Sequence, residues 1–144
     1  MSEKLAYNVK VEWDKRTGGQ AYFNRNPVLK FDMATEFGGE GRYYCSDEVF
    51  LAAVSGCLLE TYLYISRKLR LNLKDLYVTA KSLVQSSRDG YNIKELSFHF
   101  DITGVKGQEE KLKNCLELAI YYCHLTRALN PQIKIVYTDN INTV

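Results

Sequence analysis

Two long helical patterns of apolar residues, each with a cysteine near its middle, constrain the fold of this chain most. The first pattern, residues 52–59, contains Cys57, and the second, residues 119–125, contains Cys123. If both helices face one core, the two thiols can meet there and cycle between dithiol and disulfide. Cysteine is also a favoured core residue, so the pattern alone leaves a packing role open.

Length and composition fit one globular domain over residues 1–144. The chain has 144 residues, of which 46% are hydrophobic and 25% charged, which is enough to bury a core. The net charge of +2 comes from 19 basic and 17 acidic residues interspersed along the chain. This balance argues against nucleic-acid binding and against a polybasic membrane patch. The expected partners are small molecules or a second copy of the chain.

The apolar segments predict a cytoplasmic protein without a membrane span. The longest run without charge, residues 49–59, is shorter than the ~20 residues that cross a bilayer, and no signal-peptide pattern follows the first residues. In a reducing compartment the four cysteines do not predict a disulfide scaffold. They also form neither a Cys-x-x-Cys pair nor a ligand quartet, so no metal and no cofactor are expected.

Hydrophobic periodicity predicts the elements of the first two thirds of the chain. Alternating apolar residues from Leu5 to Trp13 indicate a half-buried strand, the first of an N-terminal β-meander over residues 5–33. A central helix is expected over residues 46–69, with Ser46 as its N-cap, and a β-hairpin over residues 76–103. Alternate residues in the second strand of this hairpin should face a core: Leu96, Phe98, Phe100 and Ile102.

A second long helix is predicted over residues 108–129, followed by a last strand over residues 132–138. Cys115 and Cys123 share one face of that helix by its 3.6-residue period. His124 follows Cys123, but adjacent residues on a helix point about 100° apart, so the sequence does not make His124 a base for this thiol. The predicted order is β-β-β-α-β-β-α-β, which is an α+β fold rather than a βαβ winding.

Two segments resemble the OsmC/Ohr family. Residues 46–59, from Ser46-Asp47-Glu48 to the leucines after Cys57, are similar to its central-helix signature, in which a Pro-Glu-Glu-like start is followed by a Leu-rich and Ala-rich run that ends in the peroxidatic cysteine. Residues 102–107 and 116–123 resemble its second helix with the second cysteine. The resemblance covers nearly the whole chain and implies an intertwined homodimer with active sites at the subunit interface.

The resemblance also implies thiol-dependent reduction of organic hydroperoxides. In that scheme Cys57 is the peroxidatic residue, Cys123 resolves its sulfenic acid as a disulfide, and an external dithiol reduces the disulfide. Family members stabilise the thiolate with an arginine held by an acid, and the candidates here are Arg16 and Asp47. Asp47 precedes Cys57 by ten residues, or ~15 Å of straight helix. It can therefore act only through an arginine, a helix break or the partner subunit.

Departures from the family pattern leave a second function open. Cys45-Ser46-Asp47 stands where many members have Asn-Pro-Glu, and Cys123-His124 where many have Cys-Pro. Arg42 is near the helix but out of register with the family's arginine. The alternative function is a binding protein that holds a hydrophobic or thiol-bearing small molecule in the same interface pocket without turnover. An arginine within reach of Cys57 favours catalysis, and its absence favours binding.

Overall fold

The computed structural model describes residues 4–23 and 28–144. By their internal contacts the residues form two compact units, Met1–Phe50 and Leu51–Val144. The expectation that both belong to one domain over residues 1–144 stays a prediction. Residues 24–27 of the predicted meander lie outside the described residues.

The first unit contains a three-stranded antiparallel sheet in the order β1-β2-β3. These strands are β1 (Lys10–Trp13), β2 (Gly18–Tyr22) and β3 (Leu29–Asp32). The predicted meander is therefore confirmed, but β1 is shorter than the alternation from Leu5 suggests. Its alternating apolar residues are also exposed, not half-buried. Alternation identifies the apolar face of a strand but does not show what covers that face. Strand β1 is an edge strand that is hydrogen-bonded only to β2 in this sheet.

A 23-residue helix, α1 (Ser46–Lys68), follows a short 3-10 helix at Thr35–Phe37. Because α1 begins at Ser46, its N-cap is Cys45 and not Ser46 as predicted. The Cys45 carbonyl accepts the N–H of Val49 at 3.1 Å, and the Glu48 carboxylate accepts the N–H of Cys45 at 2.9 Å. Glu48 thus provides the second half of a capping box and closes the start of the helix.

Helix α1 is long and apolar enough to cross a membrane by length and composition, with a mean hydropathy of 1.6 over its most apolar 18 residues. The longest uncharged run, residues 49–59, underestimates the length of this apolar segment, because apolar residues resume after Glu60. Core helices of globular proteins meet the same two criteria. Here one side of α1 is buried: Val54, Cys57, Leu58, Tyr62, Ile65 and Ser66.

The second unit contains the hairpin β4 (Leu73–Ser87) and β5 (Gly90–Gly104), with β6 (Lys134–Thr143) parallel to β5. The predicted core positions of β5 are confirmed, since all four have no exposed surface: Leu96, Phe98, Phe100 and Ile102. The α+β class is confirmed as well. However, β5, the following helices and β6 form one parallel βαβ crossover, which the sequence analysis excluded.

The predicted second helix is divided in two, α2 (Glu109–Tyr122) and α3 (His124–Leu129). Cys123 lies between them with φ −63° and ψ 107°, an extended conformation. The expectation of one continuous helix over residues 108–129 is therefore wrong. Helix α2 contacts α1 through two hydrogen bonds: the Tyr62 hydroxyl donates to the Leu112 carbonyl at 3.2 Å, and the Cys115 thiol to the Tyr62 carbonyl at 3.6 Å.

Candidate functional site

The sulfur atoms of Cys57 and Cys123 are in contact. Cys57 lies on α1 and Cys123 at the break between α2 and α3, and the Cys123 thiol donates to the Cys57 sulfur at 3.3 Å. Both are free thiols, and their residues are 8% and 0% exposed. The pair thus has the short separation that disulfide formation needs, with one sulfur slightly more accessible than the other.

A cavity of about 450 Å³ opens beside Cys57. Four further residues of α1 line it at the helical spacing that places side chains on one face: Glu60, Thr61, Tyr64 and Ile65. Tyr122 and His124, on either side of the helix break, line it as well. Cys123 is fully buried and does not line the cavity, so a small molecule in it meets the Cys57 sulfur and not that of Cys123.

The break at Cys123 also leaves a backbone N–H that affects the pKa of Cys57. In a continuous helix the Leu125 N–H would donate to the carbonyl four residues earlier. Because α3 starts anew at His124, its first N–H groups have no helical acceptor, and the Leu125 N–H lowers the pKa of the Cys57 thiol. An N–H directed at sulfur stabilises the thiolate relative to the thiol.

Burial nevertheless keeps Cys57 protonated. Desolvation raises the pKa of the Cys57 thiol above its ordinary value, and this effect outweighs the lowering by the Leu125 N–H. Cys123 raises the same pKa further, because two thiolates in contact would repel each other. Reaction at Cys57 therefore requires a group that removes its proton.

His124 is the residue at this site that the sequence analysis missed. Its Nδ1 atom lies 3.9 Å from the Cys57 sulfur, so it faces the thiol of α1 and not that of its sequence neighbour. The helix break at Cys123 changes the direction of the chain before His124. A continuous helix would keep its direction at this point. The departure from Cys-Pro to Cys-His is the signal that marked this position.

The predicted arginine and acid are not joined to each other. Arg16 makes two hydrogen bonds to the Glu40 carboxylate, and Asp47 lies in the first turn of α1. Among the described residues no hydrogen bond or ion pair connects Arg16 with Asp47. The Arg42 guanidinium forms ion pairs with the carboxylates of Asp14 at 2.6 Å and Asp32 at 2.8 Å. The roles of Arg16 and Asp47 stay predictions.

The sequence of residues 39–138 matches the model of the OsmC-like protein family. The chain belongs to this family. Its sequence matches no curated protein. Within this OsmC-like chain the matched residues include Cys57, Cys123 and all the residues that line the cavity.

Solved structures share the fold of this OsmC-like protein at low sequence identity. An organic hydroperoxide resistance protein from Elizabethkingia anophelis, with thiocyanate bound, has a TM-score of 0.80 at 19% identity, covering 99% of this chain and 100% of its own. The OsmC organic hydroperoxide resistance protein of Legionella pneumophila gives 0.76 at 18% identity, with the same coverage. An OsmC-like protein of Mycoplasma pneumoniae gives 0.80 at 17%, covering 98% of this chain and 99% of its own. These likenesses show the fold.

The other two cysteines of the OsmC-like chain lie elsewhere. Cys115 is fully buried against Tyr62, and burial raises the pKa of its thiol to about 11, so it stays a protonated core residue. Cys45 caps α1 and is half-buried. Within residues 4–23 and 28–144 no three His, Cys, Asp or Glu side chains form a cluster that could hold a metal ion.

Proposed function

We propose that this OsmC-like protein is a thiol-dependent peroxidase that reduces organic hydroperoxides. The Cys57 thiolate attacks the terminal oxygen of the hydroperoxide ROOH, the O–O bond breaks, and Cys57 sulfenic acid and the alcohol ROH form. The Cys123 sulfur then attacks the sulfenic sulfur and expels water, which leaves a Cys57–Cys123 disulfide. A dithiol of the cell restores both thiols by exchange.

One observation carries this proposal: of two sulfurs in contact at 3.3 Å, only Cys57 lines a cavity. A peroxidatic thiol must meet the substrate, whereas a resolving thiol must meet only the first thiol. The cavity walls favour an organic substrate over hydrogen peroxide, since Tyr64, Ile65 and Tyr122 present large apolar surfaces.

The proposal includes a homodimer and a reducing compartment. Much of α1 outside its buried side is apolar: Phe50, Leu51, Leu59 and Leu63 are only half-buried and Tyr64 is 63% exposed. A second copy that covers this surface would bury it. The cycle ends in a dithiol–disulfide exchange, so the cytoplasm predicted from the sequence is the compartment that fits.

The decisive test is peroxide consumption by the full-length protein with excess dithiol. Cys57→Ser should abolish turnover of cumene hydroperoxide, because a hydroxyl is far less nucleophilic than a thiolate. Cys115→Ser is the matched control, since it also replaces a buried thiol but lies outside the cavity. It should keep the wild-type rate. A folded Cys57→Ser protein that keeps full turnover would exclude the peroxidase function.

A binding protein without turnover is the second candidate. It is favoured by the raised pKa of Cys57 and by the fact that, in the described part of the chain, no arginine or lysine is hydrogen-bonded to this sulfur. Saturable binding of an apolar thiol in the cavity, with no peroxide consumption by the wild-type protein, would support this function in place of the first.

A further inference from the structure

We propose that His124 is a catalytic acid–base residue that takes the proton of Cys57 and returns it to the leaving alkoxide. Only the return of the proton to the alkoxide rests on the proposed peroxidase function. Removal of the proton activates Cys57 toward any electrophile, whether or not the electrophile is a peroxide.

The Cys57 sulfur has two side-chain neighbours within hydrogen-bonding distance, Cys123 and His124. The Cys123 thiol donates to the Cys57 sulfur at 3.3 Å, so this contact already uses the proton of Cys123. The proton of Cys57 is left with the Nδ1 atom of His124, 3.9 Å away. An imidazole with its proton on Nε2 accepts a hydrogen bond at Nδ1. Proton transfer along this contact leaves a Cys57 thiolate beside the His124 imidazolium.

The surroundings of His124 support an acid–base role over a packing role. Its side chain lines the cavity beside Cys57, so the same ring can reach both the thiol and a bound hydroperoxide. The other titratable groups that line this cavity are Tyr64 and Glu60 of α1 and Tyr122 of α2. Glu60 is the only carboxylate among them and is exposed to solvent. Catalytic distances between a thiol and its base are often long without substrate and shorten in the complex.

The proton balance of the step closes with His124 alone. The Cys57 proton moves to Nδ1, and the sulfur attacks the terminal peroxide oxygen as a thiolate. The O–O bond breaks, the sulfur is oxidised to sulfenic acid, and the substrate is reduced to the alkoxide RO⁻. The imidazolium then gives its proton to RO⁻, which leaves as ROH. His124 returns to its starting form without another co-reactant.

The test compares two variants of the only two histidines in the chain. His124→Gln removes the base, whereas His99→Gln is the matched control, because His99 contacts Thr138 and Asp101 on the sheet and does not line the cavity. The first readout is the rate at which iodoacetamide alkylates Cys57 between pH 5 and 10, followed by mass spectrometry of the Cys57 peptide. The second is single-turnover reduction of cumene hydroperoxide.

In wild type and His99→Gln the alkylation rate should level off below pH 9, because His124 accepts the Cys57 proton and the thiol need not ionise unaided. In His124→Gln the rate should keep rising past pH 9, because Cys57 must then ionise unaided. The single-turnover rate at pH 7 should fall about 100-fold or more, the range of general acid–base catalysis. Identical profiles in all three proteins would overturn the inference.

Two further outcomes separate this inference from the proposed function. If the wild-type protein consumes no hydroperoxide but the alkylation profiles differ as expected, His124 activates Cys57 and the peroxidase function fails. If turnover is normal and His124→Gln changes neither readout, the function stands and the role of His124 fails. Should His124→Gln unfold, His124→Pro replaces it, because proline is favoured at the first position of a helix.

Discussion

The sulfur of Cys57 lies 3.3 Å from that of Cys123, although 66 positions separate the two residues in the chain. A disulfide bond is about 2.05 Å long, so the sulfurs must approach by only about 1.3 Å to form one. Because the contact already exists in the dithiol form, disulfide formation requires no rearrangement of α1.

One equivalent of cumene hydroperoxide should therefore convert Cys57 and Cys123 into an intramolecular disulfide. Mass spectrometry of non-reduced peptides would detect the link. Cys115 should stay a thiol, since its S–H donates a hydrogen bond to the Tyr62 carbonyl and burial raises its pKa to about 11. A link through Cys115 would mean that the second helical segment contributes a different resolving residue.

Removal of the resolving thiol should separate the two half-reactions. Cys123→Ser should reduce one equivalent of hydroperoxide at the wild-type rate and then stop, with Cys57 sulfenic acid accumulating. Dimedone labelling of the Cys57 peptide would measure it. The variant buries a hydroxyl in place of a thiol, as Cys115→Ser does, so the two should lose similar stability. Continued turnover of Cys123→Ser with dithiol would show that the external reductant reaches Cys57 directly.

The sequence predicted the elements of this fold because local periodicity is enough to identify them. The alternation in β5 gave its four buried positions, and the apolar pattern of α1 gave its length to within one residue at its C-terminal end. Periodicity does not report where a helix breaks if every residue at the break is compatible with a helix. The family's common proline after the cysteine would have marked the start of α3, but His124 stands there.

The site was predictable only in part, for the same reason. Cys57 and Cys123 stand out as cysteines in apolar helical patterns, and the resemblance paired them. The contact of His124 with Cys57 depends on the extended conformation of Cys123, which no local pattern encodes. The ion pairs of Arg42 likewise join residues 14, 32 and 42, and nothing in the sequence favours these partners over others.

Glu60 should select against substrates that carry a carboxylate. It lies one turn after Cys57 and lines the cavity, so its charge repels an anionic hydroperoxide but not a neutral one. Glu60→Gln should raise kcat/KM for a fatty-acid hydroperoxide by about 2- to 5-fold, as expected for an exposed charge pair, and leave cumene hydroperoxide unaffected. Glu117→Gln, an exposed residue of α2 outside the cavity, is the control. An equal change for both substrates would argue against selection by charge.

Gly56 should lie in the interface of the proposed homodimer. A Cβ atom built at this position meets no described atom within 4 Å apart from its chain neighbours and the backbone of its own helix, although glycine inside a helix costs about 0.5–1 kcal/mol relative to alanine. The open space is explained if a second copy packs there. Gly56→Leu should therefore dissociate the dimer, whereas Gly56→Ala should be milder, and light scattering would give the mass. A wild-type monomer at micromolar concentration would contradict the proposed assembly.

Asp32 should make the first unit sensitive to acid. Its buried carboxylate accepts hydrogen bonds from the Arg42 side chain at 2.8 Å and from the Thr17 hydroxyl at 2.6 Å, and these contacts, Arg42 first, hold the pKa of Asp32 well below its usual range. A carboxyl whose pKa is lowered by folding stabilises the protein fully above its unfolded pKa, and this stabilisation is lost as pH falls through the folded value. Asp32→Asn should therefore lower Tm at pH 7 and weaken the dependence of Tm on pH below about pH 4. The exposed Asp75→Asn is the control and should do neither, as differential scanning fluorimetry between pH 2 and 7 would show. An unchanged slope in Asp32→Asn would mean that another carboxylate controls the acid response.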